Sequence, residues 1–192
     1  MSNFINSDAI AYVIKSIYRD HVGSNEAVLN QAIVDNVFAV TMKFDSAHFD
    51  FNESKRDPAN YLTKYRDWFT RLVVEACGNN MGRKRYQQPL SVSYIDFPGS
   101  KGTMSAKEAA NFLNFGLLHV HAVVALRPEG QAFRRPLLVA GSAHQLRRFG
   151  EVKVEPYDPE KGSLEKMIQY CSKGAELIGP RHRSDCYELL PR

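Results

Sequence analysis

The sequence predicts an α+β fold in which helices flank a central antiparallel sheet. Three observations carry that expectation. Apolar stretches of strand length recur at residues 37–44, 90–97, 117–126 and 151–157, with segments of helical spacing between them. The run Leu117–Leu126 is almost wholly apolar apart from two histidines, as suits a strand buried on both faces. The 192 residues are the length of one domain, and 44% apolar residues, 11% of all residues being aromatic, can fill its core.

Composition narrows the setting. A net charge of +4 mildly favours an anionic partner. No run approaches the ~18 apolar residues of a membrane span, and the N-terminus carries no signal-peptide core. Cys77, Cys171 and Cys186 form no Cys-x-x-Cys pair, which fits a reducing compartment. The expectation is a soluble intracellular protein with no membrane partner.

Along the chain, Asn6-Ser7-Asp8 offers capping oxygens to a helix with apolar residues at Ile10, Val13, Ile14 and Ile17. Gly23 breaks it, and Ser24 is placed to cap a second helix striped by Val28, Leu29, Ala32 and Ile33. These helices, residues 1–35, read as an N-terminal extension. Val37–Phe44 is the first strand, followed by a polar loop over 45–57. Asp57-Pro58 then opens a long helix whose face of Tyr61, Tyr65, Trp68, Phe69 and Leu72 is core. Leu90–Phe97 is the second strand, ended by Pro98–Gly102. Ser105–Glu108 has capping-box spacing for a short helix before the histidine strand. Residues 127–136 read as a loop, 143–149 as a short helix and 151–157 as the next strand. Ser163 caps a last helix buried through Leu164, Met167, Ile168 and Cys171, with Gly174 as its end. Residues 179–192 read as a tail.

The chemistry concentrates in two places. His119 and His121 are two apart, so on a strand they share a face ~7 Å apart and can converge on one divalent cation. Hydrogen-bonded core histidines are the bland alternative. Tyr170 and Lys173 are three apart on one helix, so a phenol and an ammonium can serve one site. A free phenol titrates near 10 and is a poor nucleophile at neutral pH; a neighbouring cation favours the phenolate, and a metal polarises a phosphate under attack. Phosphoryl transfer needs those parts. Basic residues are densest between 127 and 153, with six Lys/Arg against two acids. Together with Arg83, Lys84 and Arg85, the side chains of Arg127, Arg134, Arg135, Arg147 and Arg148 are candidate DNA-phosphate contacts.

The stretch LLHVHAVVAL resembles the His-hydrophobic-His motif of the HUH endonuclease superfamily, and MIQYCSKG is similar to its tyrosine motif. VFAVTMKF is similar to the first-strand motif of rolling-circle replication initiators. The three occur in the order of single-tyrosine initiators, with the tyrosine last, whereas relaxases place it first. The resemblance spans residues 37–174 and implies a catalytic domain over 36–178. It further implies a sheet of about five antiparallel strands of ferredoxin-like (RRM-like) type, and a Mg²⁺- or Mn²⁺-dependent nickase and strand transferase for single-stranded or hairpin origin DNA. Tyr170 would be the nucleophile, Lys173 its helper, and His119 and His121 metal ligands. The family's third ligand, often a carboxylate on the preceding strand, falls on Asp96 in VSYIDFPG. Alternation places Asp96 with Leu90, Val92 and Tyr94, which reads as a core face. A bulge or the strand end is therefore expected to redirect it, with Glu108 as the other candidate and turn-capping as its bland role.

The sequence has no Gly-x-x-x-x-Gly-Lys-[Ser/Thr], so a helicase, like a polymerase, is expected as a separate or host partner. The location implied is a bacterial or archaeal cytoplasm, or the host nucleus for a eukaryotic virus. Other readings are a single-strand transposase of the same superfamily, a zinc hydrolase built on His119, His121 and Asp96, and a nucleic-acid-binding module whose histidines only pack. Tyr157 sits before a Pro-containing turn, Tyr187 lies in a tail with no lysine at the right spacing, and His182 with Cys186 offers too few ligands for structural zinc.

Overall fold

The histidine strand occupies the middle of a five-stranded antiparallel sheet. The computed structural model describes residues 6–44, 58–96, 118–140, 151–177 and 187–191. The strands are β1 (Val37–Lys43), β2 (Leu90–Asp96), β3 (His119–Ala125), β4 (Glu151–Pro156) and β5 (Tyr187–Leu190), in the order β4-β1-β3-β2-β5. The helices are α1 (Ser7–Val22), α2 (Glu26–Asn36), α3 (Pro58–Cys77), α4 (Arg134–Ala140) and α5 (Leu164–Leu177). With α3 linking β1 to β2 and α4 lying between β3 and β4, the order β4-β1-β3-β2 is that of the ferredoxin-like split β-α-β. β5 then extends the sheet beyond β2.

Side-chain alternation divides the sheet into two covered faces. Val120, Ala122 and Val124 of β3 are fully buried on one face. There α3 packs through its aromatic stripe, and Tyr65 Oη lies 2.6 Å from Ser91 Oγ. The opposite face carries His119, His121, Val123 and Ala125 and is covered by α5, on which α1 packs. Tyr18 of α1 donates to the Leu126 carbonyl at 2.7 Å, and Lys15 reaches Glu165 of α5 at 2.6 Å. The helices expected as an extension therefore belong to the same core: Ile10, Ile14, Leu29 and Ile33 join its single buried cluster.

Several local expectations change. Asn25, not Ser24, caps α2, its side chain accepting from the Ala27 and Val28 amides. Arg134 and Arg135 stand in the first turn of α4 rather than in a loop; Pro136 is tolerated there because first-turn amides have no intrahelical acceptor. The expected tail contains β5, whose four residues are too short to show a period. Its Glu188 is buried and accepts from Arg66 Nε of α3 at 2.6 Å. Asp57, Pro98–Gly102, the capping box 105–108 and residues 143–149 lie outside the described residues.

Gly174 does not end α5, which continues to Leu177. Its role is close approach: a Cβ there would stand 2.6 Å from Asp96 Cα and 2.7 Å from the Ile95 carbonyl oxygen. Only a residue without a side chain lets the helix lie this near β2. Gly174→Ala is expected to destabilise the fold by about 1–3 kcal/mol, the cost of overpacking. Urea unfolding monitored by circular dichroism checks this, and a wild-type midpoint would refute the packing role.

Candidate active site

Pairing register assembles the site at one end of the sheet. Across β3, His119 faces Lys43 of β1 and Asp96 of β2, while His121 faces Thr41 and Tyr94. Directly opposed residues share a face. Asp96 therefore points with the histidines in regular strand geometry, and no bulge is required. The apparent conflict with Leu90, Val92 and Tyr94 has a simple origin: the histidine face is itself a core face, apolar along most of its length and polar only where α5 crosses its end.

The polar end is tightly organised. His121 Nε2 lies 3.1 Å from Asp96 Oδ2, and its Nδ1 lies 3.0 Å from Thr41 Oγ1. Asp96 is only 2% exposed, and a buried carboxylate requires partners. Lys173 Nζ supplies one, 3.6 Å from the same Oδ2. That ammonium also stands 4.2 Å from the centroid of the Tyr170 ring, whose own centroid is 5.6 Å from that of His121. Tyr170 is 57% exposed. Its ring stands against the His121 imidazole and the Lys173 ammonium with its surface open. Residues from β2, β3 and α5 thus meet at one point, and Tyr170 and Lys173 belong to it together.

The donor set suits a cation. Two ligands at right angles on a metal with ~2.1 Å bonds lie ~3 Å apart, close to the His121–Asp96 separation. With no ion between them, Nε2–H of His121 can donate to Asp96 while Nδ1 accepts from Thr41; the other tautomer, with Nδ1–H donating to Thr41, would free the Nε2 lone pair for a metal. Burial foremost, then the neighbouring His121, holds the His119 imidazole below the usual histidine range, which favours its neutral, ligating form. Yet His119 stands apart, its centroid 6.5 Å from that of His121 and its ring nearly perpendicular. Among the described residues no three His, Cys, Asp or Glu side chains converge closely enough to hold an ion as they stand. His119 is opposed to Asp96 in the ladder, and opposed Cβ atoms lie ~5 Å apart, so side-chain rotation brings it into reach. Glu108 lies outside the described residues.

The expected phosphate contacts are elsewhere. Arg83, Lys84 and Arg85 lead into Leu90, and Arg127 follows Ala125, both at the far end of the sheet. Six strand residues at ~3.3 Å place that end ~20 Å from His119. Arg85 and Arg127 line a common hollow with the exposed Tyr86. Arg134 donates to the Asp35 carbonyl at 2.9 Å, just before β1, and Arg135 adjoins it. Arg147 and Arg148 lie outside the described residues. Among the described residues, besides Lys173 of α5, the sheet lysines nearest the histidines are Lys43, opposite His119, and Lys153, opposite Thr41 on β4. Sequence inspection misses both, because they are isolated lysines placed only by register.

Compared with models of known families, with curated proteins and with solved structures, the chain gives no match. Its site is therefore read from its own geometry. Lys173→Met is expected to cost about 1.5–3 kcal/mol by depriving buried Asp96 of a charged partner. The double variant with Asp96→Asn should lose less than the two single losses combined. Unfolding free energies around that cycle are the measurement, and simple additivity would show that the pair is not coupled.

Proposed function

We propose that the protein is a metal-dependent endonuclease and strand transferase for single-stranded DNA, acting through a covalent tyrosyl intermediate to initiate rolling-circle replication. The observation that carries the reading is the placement of exposed Tyr170 over His121, with Lys173 between the phenol ring and Asp96. The likeness of the histidine and tyrosine stretches to the HUH motifs supports the same reading.

In this reading the Tyr170 oxygen gives up its proton and attacks a backbone phosphorus, forming a phosphotyrosine at the 5′ end of the strand downstream of the break. The phosphorus–O3′ bond breaks, and the departing oxygen takes up a proton as a free 3′-hydroxyl. One phosphodiester replaces another, so the step needs no nucleotide hydrolysis and reverses when a 3′-hydroxyl attacks the tyrosyl ester. Lys173, part-exposed beside both Asp96 and Tyr170, neutralises charge on the phosphate. His121, Asp96 and, after rotation, His119 are the residues to hold Mg²⁺ or Mn²⁺. Bound there, the cation would polarise the phosphate. Imidazole with carboxylate is a donor set better matched to Mn²⁺ than to Mg²⁺. Thr41 orients the His121 ring through Nδ1.

The Arg83–Arg85 and Arg127 group then contacts the DNA backbone away from the break, ~20 Å along the sheet. Single-stranded or hairpin origin DNA is the substrate class, and unwinding and synthesis fall to a separate or host helicase and polymerase.

The test is incubation with labelled single-stranded DNA, circular or origin-derived, in Mn²⁺ or EDTA, followed by denaturing electrophoresis. A covalent protein–DNA band is expected with Mn²⁺, absent with EDTA and in Tyr170→Phe, and reduced at least 100-fold in His121→Ala, about 2.7 kcal/mol of barrier. Cleavage that persists in Tyr170→Phe without a covalent band would refute the tyrosine mechanism. Separately, Arg83→Ala with Arg85→Ala should weaken DNA binding and flatten its salt dependence by about one to two counterions. Cleavage at saturating DNA should be unchanged. A salt slope equal to that of the wild type would remove these residues from the interface.

A further inference from the structure

A groove of about 540 Å³ runs along the histidine face from Tyr170 to Tyr157, between the N-terminal half of α5 and the β4 edge. Its size lies within the ~300–1,000 Å³ of small-molecule sites. Ala39 of β1 lies in it and Met167 of α5 lines its side. Ala39 follows the same strand face two residues from Thr41, which opposes His121. The groove therefore begins where the proposed phosphate chemistry ends.

Its lining selects what it can hold. Tyr157, Met167, Ala39 and Pro156 present mostly carbon. Of the charged groups around it, Lys161 pairs with Asp158 at 3.3 Å and Glu155 with Lys153 at 2.9 Å, and Lys166 of α5 also lines it. A flat ring with polar edges fits this lining, resting on carbon and hydrogen-bonding to the carboxylates. Tyr157 is held ready for stacking: its amide donates to the Val37 carbonyl at 2.8 Å and its hydroxyl to the Gly162 carbonyl at 3.1 Å. A fixed ring loses little entropy on contact with a base.

We infer that this groove is a nucleobase site, holding the base of a nucleotide next to the phosphate attacked by Tyr170. The inference rests on the strand-nicking reading for the identity of that phosphate. Glu155 and Asp158 are acceptors, so a base with an exocyclic amino group (cytosine, adenine or guanine) is favoured over thymine.

The test uses the full chain and a 12-nucleotide single strand carrying 5-iododeoxycytidine at successive positions. Photocross-linking with peptide mapping, and binding by fluorescence anisotropy, are the readouts. Cross-links to Tyr157 or Met167 are expected from one position of the strand. Ala39→Phe, which fills the groove, and Tyr157→Leu should each weaken binding roughly five- to 100-fold, the worth of one stacked base. Tyr157→Phe, which keeps the ring and loses only its Gly162 bond, should weaken binding less than Tyr157→Leu does. Cross-links only outside the groove, or unaltered binding in Ala39→Phe and Tyr157→Leu, overturn the proposal. If a variant fails to fold, the wild-type cross-link position decides. A covalent Tyr170 adduct without groove cross-links would leave the nickase standing and remove the base site. Groove cross-links without an adduct would do the reverse, leaving a strand-binding groove and no nickase.

Discussion

A single buried carboxylate organises the functional end of this molecule. Asp96 is almost wholly removed from water, and its stability depends on groups from two other elements, the His121 imidazole of β3 and the Lys173 ammonium of α5. The backbone contact that makes this possible is Gly174, where α5 lies against β2 with no room for a side chain. Helix position, carboxylate neutralisation and the placement of Tyr170 are thus one constraint. Moving α5 away would strand a charge in the core and separate the phenol from the imidazole together.

The sheet carries different chemistry at its two ends. At the β3 N-terminus, buried polar groups meet an exposed phenol. At the β3 C-terminus, arginines and the exposed Tyr86 form a solvated basic surface. Between them the histidine face is apolar, sealed by α5 over β2 and β3 and open as a groove toward β4. Cys171 sits inside this seal, its thiol pushed up to about 12 chiefly by burial, which makes it a packing group.

The first four strands, the helices of residues 7–36, 58–77 and 164–177, the pairing of His119 with His121 on one face, and the Tyr170–Lys173 partnership were legible in the sequence. Strand and helix periods are local properties, and each of these residue pairs lies within one element. The shared core of α1 and α2, the short strand β5 and the true role of Gly174 were not legible, because each depends on contacts between distant parts of the chain.

Alternation alone set Asp96 among core residues and offered a bulge to free it. Only the register of β2 against β3 showed that the core face and the histidine face are the same face. Likewise, basic residues were visible as clusters, but their distance from the histidines follows from strand direction and connection, which spacing does not encode. The sequence by itself determined which chemical groups this protein owns and which near neighbours share a face. The tertiary structure decided which groups meet, because antiparallel pairing and a glycine-permitted helix contact bring together residues dozens of positions apart.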